Sequence, residues 1–517
     1  MMYFINFGLP EKKSGIEHAE LKRLKLFQEH QYPCKIITRD WYRDFHTTAN
    51  ASGVDDSHLL GMFDFFQDRQ NEEHKRLIAE DIDFGLKNLN YIDEHENNRY
   101  LVMRQEGDQL VARVNYDVKN AKQVVSTELF DGYGNLYRVD VYDSRGFKTM
   151  MQWYTPDNKI GNEEWISKDG HIVLRTYNKK TLTGGSLEKT GWWVRDTNQK
   201  IYTFDTMDEL FEHFLNLVNS RGKNIFILDR SLLADTALTR LKRKAFTVMH
   251  LHNAQTGDSQ KPMTSVMNNN YEYSLVNIDK YSAVISATQK QTKDVIKRFH
   301  PTGKMYTIPV GIVPDNILNS TRVPMADRKF GKIIAVARIA FEKRLDDLVR
   351  AVKLVHDKVP EVTLDLYGYD DSTNNFAERK KVEQVIKEVG LENVVTFKGY
   401  TNDIESVEDQ AQIFGLTSRM EGFNLAIMEA ISHGVVGVTY NVNYGPNDII
   451  QEDKNGYVVG YGNYKEMASR ILELLQNTDL LQRLSTGAYE SSSRYSSDNV
   501  WKAWEKLIND ANEELEE

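Results

Sequence analysis

The chain has 517 residues, with 65 Lys and Arg against 75 Asp and Glu, giving a formal net charge of −10. That length accommodates two large domains and an insertion, and the acidic balance argues against general nucleic-acid binding. A lone cysteine, Cys34, excludes an internal disulfide and favours a reducing compartment. The N-terminus lacks a basic segment followed by a long apolar run, and no stretch reaches membrane-spanning length. The expected location is cytoplasmic, at most peripheral at the inner face of the membrane.

Tyr3 to Gly8 is predicted as a first strand, and a loop then runs into an amphipathic helix with Ile16, Ala19, Leu24 and Phe27 inward. Ser14 and Gly15 stand where that helix begins. A glycine there lets backbone approach a ligand closely, so the amides near Gly15 are a candidate phosphate contact, and an ordinary N-cap explains the same residues equally well. The next strand, CKIITR, continues the alternation of a doubly wound sheet.

From Arg99 to Lys200 the pattern changes. Turn sequences recur about every dozen residues, at DGYGN (131), DSRG (143), TPDNK (155) and SKDG (167), between segments rich in aromatic and β-branched residues. This predicts a β-meander inserted into the first domain. Trp153, Trp165, Trp192 and Trp193 lie near its expected exposed face, which points to a homo-oligomer or an acceptor surface.

Asn224 to Leu228 and Phe246 to Leu251 are further buried strands, the second ending at His250 and His252. No third ligand stands nearby at metal-binding spacing, so no metal site is expected. Asp81 and Asp83 lie in a polar stretch, not after a buried strand, which disfavours a carboxylate metal site there. After the strand at Ser282 and the stretch YTIPVGIVP, a polar linker places the domain boundary near Arg322.

The second domain opens on a strand, Lys332 to Ala337, and an amphipathic helix, with Arg338 and Lys343 in the loop between them. That spacing puts two cations at the carboxyl edge of the sheet, where they would neutralise a leaving diphosphate without a metal. Gly368 and Tyr369 end the next strand, and Lys398, Gly399 and Tyr400 the one after. In TSRMEGFNLAIMEAISHG, Glu421 and Gly422 precede a buried helix predicted to start near Gly422, with unpaired amides at Phe423, Asn424 and Leu425. Glu429 falls roughly 10 Å further along the axis. Glu421 and Glu429 would then grip opposite ends of an extended ligand whose phosphates lie between them.

Two glutamates so spaced around EGF and L, with His433 and Gly434 opening the following turn, resemble the signature of retaining GT-B glycosyltransferases of family 4. The Arg338 and Lys343 pair is similar to that family's, as is the IPVG stretch before the second domain. The SGIEHA loop, MFDFFQ at 62 and the β insertion further resemble a bacterial surface-glycosylation group, which includes enzymes modifying serine-rich adhesins or Ser-Asp repeats and poly(glycerol phosphate) α-glucosyltransferases.

The resemblance implies an α/β GT-B fold of two Rossmann-like domains: residues 1–98 and 201–321, a meander at 99–200, a nucleotide-sugar domain at 322–495, and a last helix at 496–517 returning towards the first domain. It implies that Arg338 and Lys343 hold the diphosphate, Glu421 the transferred sugar and Glu429 the ribose, with the base held by the segment at Tyr400 and with Gly368 among the donor-binding residues. A histidine beside sugar and diphosphate is carried to His252, with His250 the less favoured choice. The implied donor is UDP-glucose or UDP-N-acetylglucosamine as substrate, with no separate cofactor. The implied acceptors are serine or threonine hydroxyls of a surface protein or, alternatively, poly(glycerol phosphate) teichoic acid. A partner glycosyltransferase subunit fits this group, and a non-catalytic acceptor-binding subunit is the reading of another class.

Overall fold

The structure, a computed structural model, describes residues 1–11, 13–105, 108–180 and 187–516. Residues 106–107 and 181–186 of the expected meander therefore lie outside the described residues. Two compact units emerge: Met1–Lys13 with Tyr32–Ala245, and Ser14–Gln31 with Phe246–Glu517. The architecture is α/β, with two Rossmann-like halves and an antiparallel insertion in the first.

In the first unit, the parallel strands Ile225–Leu228, Met2–Asn6, Cys34–Thr38 and Leu59–Gly61 pair in that order. Their near-continuous apolar runs suit strands covered on both faces. The insertion is a ten-stranded antiparallel sheet from Leu89–Glu94 to Ile201–Phe204. It thus begins one hairpin before Arg99, because the mixed polar segment Leu89–Glu94 pairs with Arg99–Arg104.

The turns repeat one design. The amides of Asp131, Asp143, Thr155 and Ser167 donate to the carbonyls of Asn135, Phe147, Lys159 and His171 at 2.8–3.0 Å. Gly134, Gly146, Asn158 and Gly170 supply the left-handed backbone that each closure needs.

Two of the four tryptophans read as surface are core residues. Trp165 and Trp192 are 2% and 4% exposed, and both lie against Phe63, with ring centroids 4.9 and 6.1 Å away. Alternation assigns residues to a face, but only the packing of helix Met62–Gln67 onto that face decides which one is wet.

The same helix is tied to the sheet by charge. Arg145, fully buried, bonds Asp143 at 2.8 Å and Asp64 at 2.7 Å. His46 bridges Asp64 at 2.7 Å and Asp56 at 2.9 Å. Burial opposes the charge on His46, but these carboxylates outweigh it and push the imidazole up to about 9.

The second unit contains the parallel strands Phe246–His250, Ala283–Ser286 and Lys304–Thr307. It also contains a six-stranded parallel sheet in the order Val395–Gly399, Thr363–Tyr367, Lys332–Val336, Ile413–Leu416, Val436–Tyr440, Gly456–Val459. Numbered along the chain, that order is third, second, first, fourth, fifth, sixth. It reverses between Lys332–Val336 and Ile413–Leu416, so the loops after these two strands diverge and leave a crevice.

Helix Gly15–Glu29 also belongs to this unit and begins with a capping box. The Ser14 hydroxyl accepts from the Ile16 amide, and Glu17 accepts from the Ser14 amide at 2.8 Å. The last helix, Ser497–Glu516, packs on it through Phe27, Trp501 and Trp504. Among the described residues, no helix is long and apolar enough to cross a membrane.

Candidate active site

The crevice at the strand reversal is flanked by the loops that carry the candidate residues Arg338, Lys343 and Glu421. Lys332–Val336 feeds the loop carrying Arg338 and a 3-10 turn at Phe341–Lys343, and Ile413–Leu416 feeds the loop carrying Glu421. The two loops are stitched together. The Thr417 hydroxyl contacts the carbonyls of Lys343 and Arg344 at 2.9 Å, and the Arg419 amide donates to the Glu342 carbonyl at 2.7 Å. Lys343 Nζ consequently reaches Glu421 Oε1 at 2.7 Å, with side chains only 17% and 9% exposed.

Arg338 is more open and is held by two carboxylates that sequence reading did not single out. Its guanidinium lies 2.5 Å from Glu342 and 3.1 Å from Asp371. Both are local signals: Glu342 lies one helical turn on, and Asp371 follows the neighbouring strand. Two cations thus face three carboxylates. An incoming diphosphate would find its partners preorganised rather than free to wander.

Gly368 draws three strand ends together. Its φ is +134°, its amide donates to the Gly399 carbonyl at 2.9 Å, and a Cβ there would stand 2.0 Å from the Ala337 carbonyl oxygen. Tyr400, directly after Gly399, is exposed at this edge.

The buried helix starts later than its apolar pattern predicts. It spans Leu425–Ser432, with Asn424 as N-cap at φ 75°, its side chain accepting from the Ile427 amide at 3.0 Å. Asparagine tolerates this left-handed backbone and competes for the amide, which delays helix onset. Among the described residues, the amides of Phe423, Asn424 and Leu425 donate to no protein group. Orphan donors at a helix N-terminus suit an anion.

Gly422 is seated on backbone, since a Cβ there would lie 2.1 Å from the His252 carbonyl oxygen and 2.5 Å from its carbon. Gly311 of the IPVG stretch similarly rests on Met428 and Leu425. Behind the EGF turn, the Glu421 amide donates to the Asn443 carbonyl at 3.1 Å, and the Tyr444 amide donates to the Glu421 carbonyl at 2.9 Å. Tyr444 itself is buried, and its hydroxyl accepts from Gln255 at 2.6 Å.

The two histidines differ. His250 is 2% exposed, with Nδ1 3.2 Å from an Arg23 nitrogen. His252 is half-buried, 4.1 Å from the His250 ring, and it is its backbone that abuts Gly422.

Glu429 lies near the other end of the helix. Its Oε1 sits 2.5 Å from Lys22 Nζ on helix Gly15–Glu29. Sequence reading missed Lys22, and with a sequence separation of 407 between the partners no local signal exists. The helix carrying Lys22 begins at the proposed Gly15 phosphate contact, where a Cβ would meet nothing within 4 Å.

Residues 321–491 match the family model described as glycosyl transferases group 1. The chain is 26% identical over 539 residues to the UDP-N-acetylglucosamine–peptide N-acetylglucosaminyltransferase GtfA subunit of Streptococcus agalactiae, covering 99% of both chains. It is 25% identical to the poly(glycerol-phosphate) alpha-glucosyltransferase of Bacillus subtilis strain 168, over 98% of this chain and 74% of that one. Its fold matches the crystal structure of the pneumococcal O-GlcNAc transferase GtfA, a complex with UDP and GlcNAc, with a TM-score of 0.80 at 21% identity, covering 99% of this chain and 98% of that one. The protein therefore has the GT-B fold, with a glycosyl transferases group 1 match over 321–491 and similarity along nearly its full length to a peptide N-acetylglucosaminyltransferase subunit and a poly(glycerol-phosphate) alpha-glucosyltransferase.

Proposed function

We propose that this protein is a retaining, metal-independent glycosyltransferase that moves glucose or N-acetylglucosamine from a UDP-sugar to serine or threonine hydroxyls of a bacterial surface protein. The observation that carries the reading is the Lys343–Glu421 pair at 2.7 Å, set beside three unpaired amides at a helix N-terminus. Glu421 then takes hydroxyls of the transferred sugar, Lys343 and Arg338 the diphosphate, the amides of Phe423, Asn424 and Leu425 its oxygens, and Glu429 the ribose. Ser14 and Gly15 contribute a further backbone contact to phosphate, and Tyr400 and Gly368 border the base. His252 stands beside sugar and diphosphate.

In this reading, charge grows on the β-phosphate as the glycosidic bond breaks. Lys343 and Arg338 stabilise it without the reorganisation that water would require. No protein nucleophile is assigned: the departing phosphate takes the proton of the acceptor hydroxyl on the same face of the sugar, which preserves the anomeric configuration. The meander serves assembly of a homo-oligomer, contact with a partner transferase subunit, or capture of the acceptor.

The Bacillus subtilis likeness favours a second acceptor, poly(glycerol phosphate). A panel of UDP-sugars against a serine-rich repeat peptide and a glycerol phosphate polymer, read by mass with the product anomer read by NMR, separates the two. Transfer with retained α configuration to either acceptor supports the activity. Inverted product, or acceptor binding without transfer or hydrolysis of any UDP-sugar, removes it.

A further inference from the structure

Glu408 ends the short helix Glu405–Glu408 and is fully buried. Among the described residues, neither of its carboxylate oxygens accepts a hydrogen bond. The charges that act on it include those of Glu429, Lys22, Asp409 and Glu405. His433 Nε2 lies 3.8 Å away, beyond hydrogen-bond reach, while its Nδ1 is committed to Asp409 at 2.8 Å. The Arg328 guanidinium donates to the backbone carbonyl of Glu408 at 3.0 Å, not to its carboxylate. A buried carboxylate with no donor is costly to ionise. Burial first, and the charge of Glu429 next, push this carboxyl well above its usual range and favour its protonated form.

The Lys22 ammonium is bonded to Glu429, and its charge also acts on Glu408, favouring the ionised form there. Ribose hydroxyls are hydrogen-bond donors and would compete with Lys22 for the Glu429 lone pairs. We propose that Lys22 is a gate on the ribose seat, pairing with Glu429 in the nucleotide-free protein and transferring to Glu408 when ribose hydroxyls take Glu429. This rests on the assignment of Glu429 to the ribose.

The transfer has a definite balance. Before it, Glu429 is ionised and paired while Glu408 carries an O–H. Afterwards Glu429 is still ionised and accepts from ribose, the Glu408 O–H bond has broken, its carboxylate pairs with Lys22, and the proton has gone to solvent. Nucleotide binding thus releases about one proton. Because Lys22 rides on the helix that begins at Ser14 and Gly15, the exchange also couples the ribose seat to that proposed phosphate contact.

Isothermal titration of the full chain with UDP at pH 7, in buffers of different ionisation enthalpy, counts the protons. Any proton from the nucleotide's own phosphate is common to all variants and cancels in the difference. The wild type should release about one proton more than Glu408→Gln, whose amide mimics the protonated acid and keeps the fold, and about one more than Lys22→Met. Lys22→Met should bind UDP about 10-fold more tightly, with the competing ammonium gone. Equal proton release in wild type and Glu408→Gln overturns the gate. Unchanged UDP affinity in Glu429→Gln overturns the ribose assignment; a loss of about 10-fold or more there, with no proton difference between wild type and Glu408→Gln, leaves that assignment standing and removes the gate alone.

Discussion

Gly422→Ala is a severe test of the site's construction. A Cβ at this position would stand 2.1 Å from the His252 carbonyl oxygen and 2.8 Å from the Asn253 Cα. Ordinary contact begins near 3.4 Å, so the EGF turn and the backbone at His252 must separate by about 1 Å, and the atoms in the way are main chain, not flexible side-chain ends. Overpacking of this kind costs about 1–3 kcal/mol. The turn cannot yield alone, because Glu421 is bonded through its backbone to Asn443 and Tyr444 and through its side chain to Lys343. A shift of that size at a reacting group is worth about 10²-fold in rate. Thermal unfolding followed by circular dichroism, with UDP release from UDP-sugar on the same samples, gives both numbers. The expected result is a melting temperature several degrees lower and turnover reduced by about two orders of magnitude. Gly15→Ala, which meets nothing within 4 Å, should leave the melting temperature within a degree or two. Wild-type stability and rate in Gly422→Ala would refute the close seating of the glycine and the dependence of turnover on it.

Activity should persist in excess EDTA; complete loss restored by manganese or magnesium would place the chemistry with a bound metal. Deletion of residues 89–204, with the chain rejoined by a short linker, should leave UDP affinity within a few-fold while polymer transfer or the oligomer is lost. Calorimetry and sedimentation decide this, and loss of UDP binding in a folded deletion protein would contradict it. His46 has a raised folded pKa, so its bridge stabilises fully below the unfolded value of about 6.5 and is lost as pH rises through about 9. The shift corresponds to roughly 3 kcal/mol. Denaturant midpoints from pH 6 to pH 10 should therefore fall in the wild type and much less in His46→Gln; parallel curves would count against the bridge.

The features that the sequence displayed were those fixed by neighbours. The hairpins at 131, 143, 155 and 167 were legible because each closes on its own five residues, with glycine or asparagine where φ must be positive. The position of Arg338, Lys343 and Glu421 in loops after two neighbouring strands was legible because those strands are apolar runs that sequence displays directly. The onset of the buried helix was misjudged by three residues, since the apolar stripe does not register that Asn424 caps at Leu425. Trp165 and Trp192 were misplaced because period-two alternation is silent about which face a distant helix covers. Lys22 and Glu408 were invisible: one acts across 407 residues, and the other sits in a charged segment that reads as solvent-exposed.

The central claim is that Lys343 and Arg338, aligned by Glu421 and Glu342, stabilise the departing diphosphate. It is tested most directly by steady-state turnover of Lys343→Ala and Arg338→Ala with the preferred UDP-sugar and acceptor, on proteins shown to be folded. The account predicts a fall in kcat of about 10²-fold or more for each. Near-normal kcat in folded Lys343→Ala would contradict it.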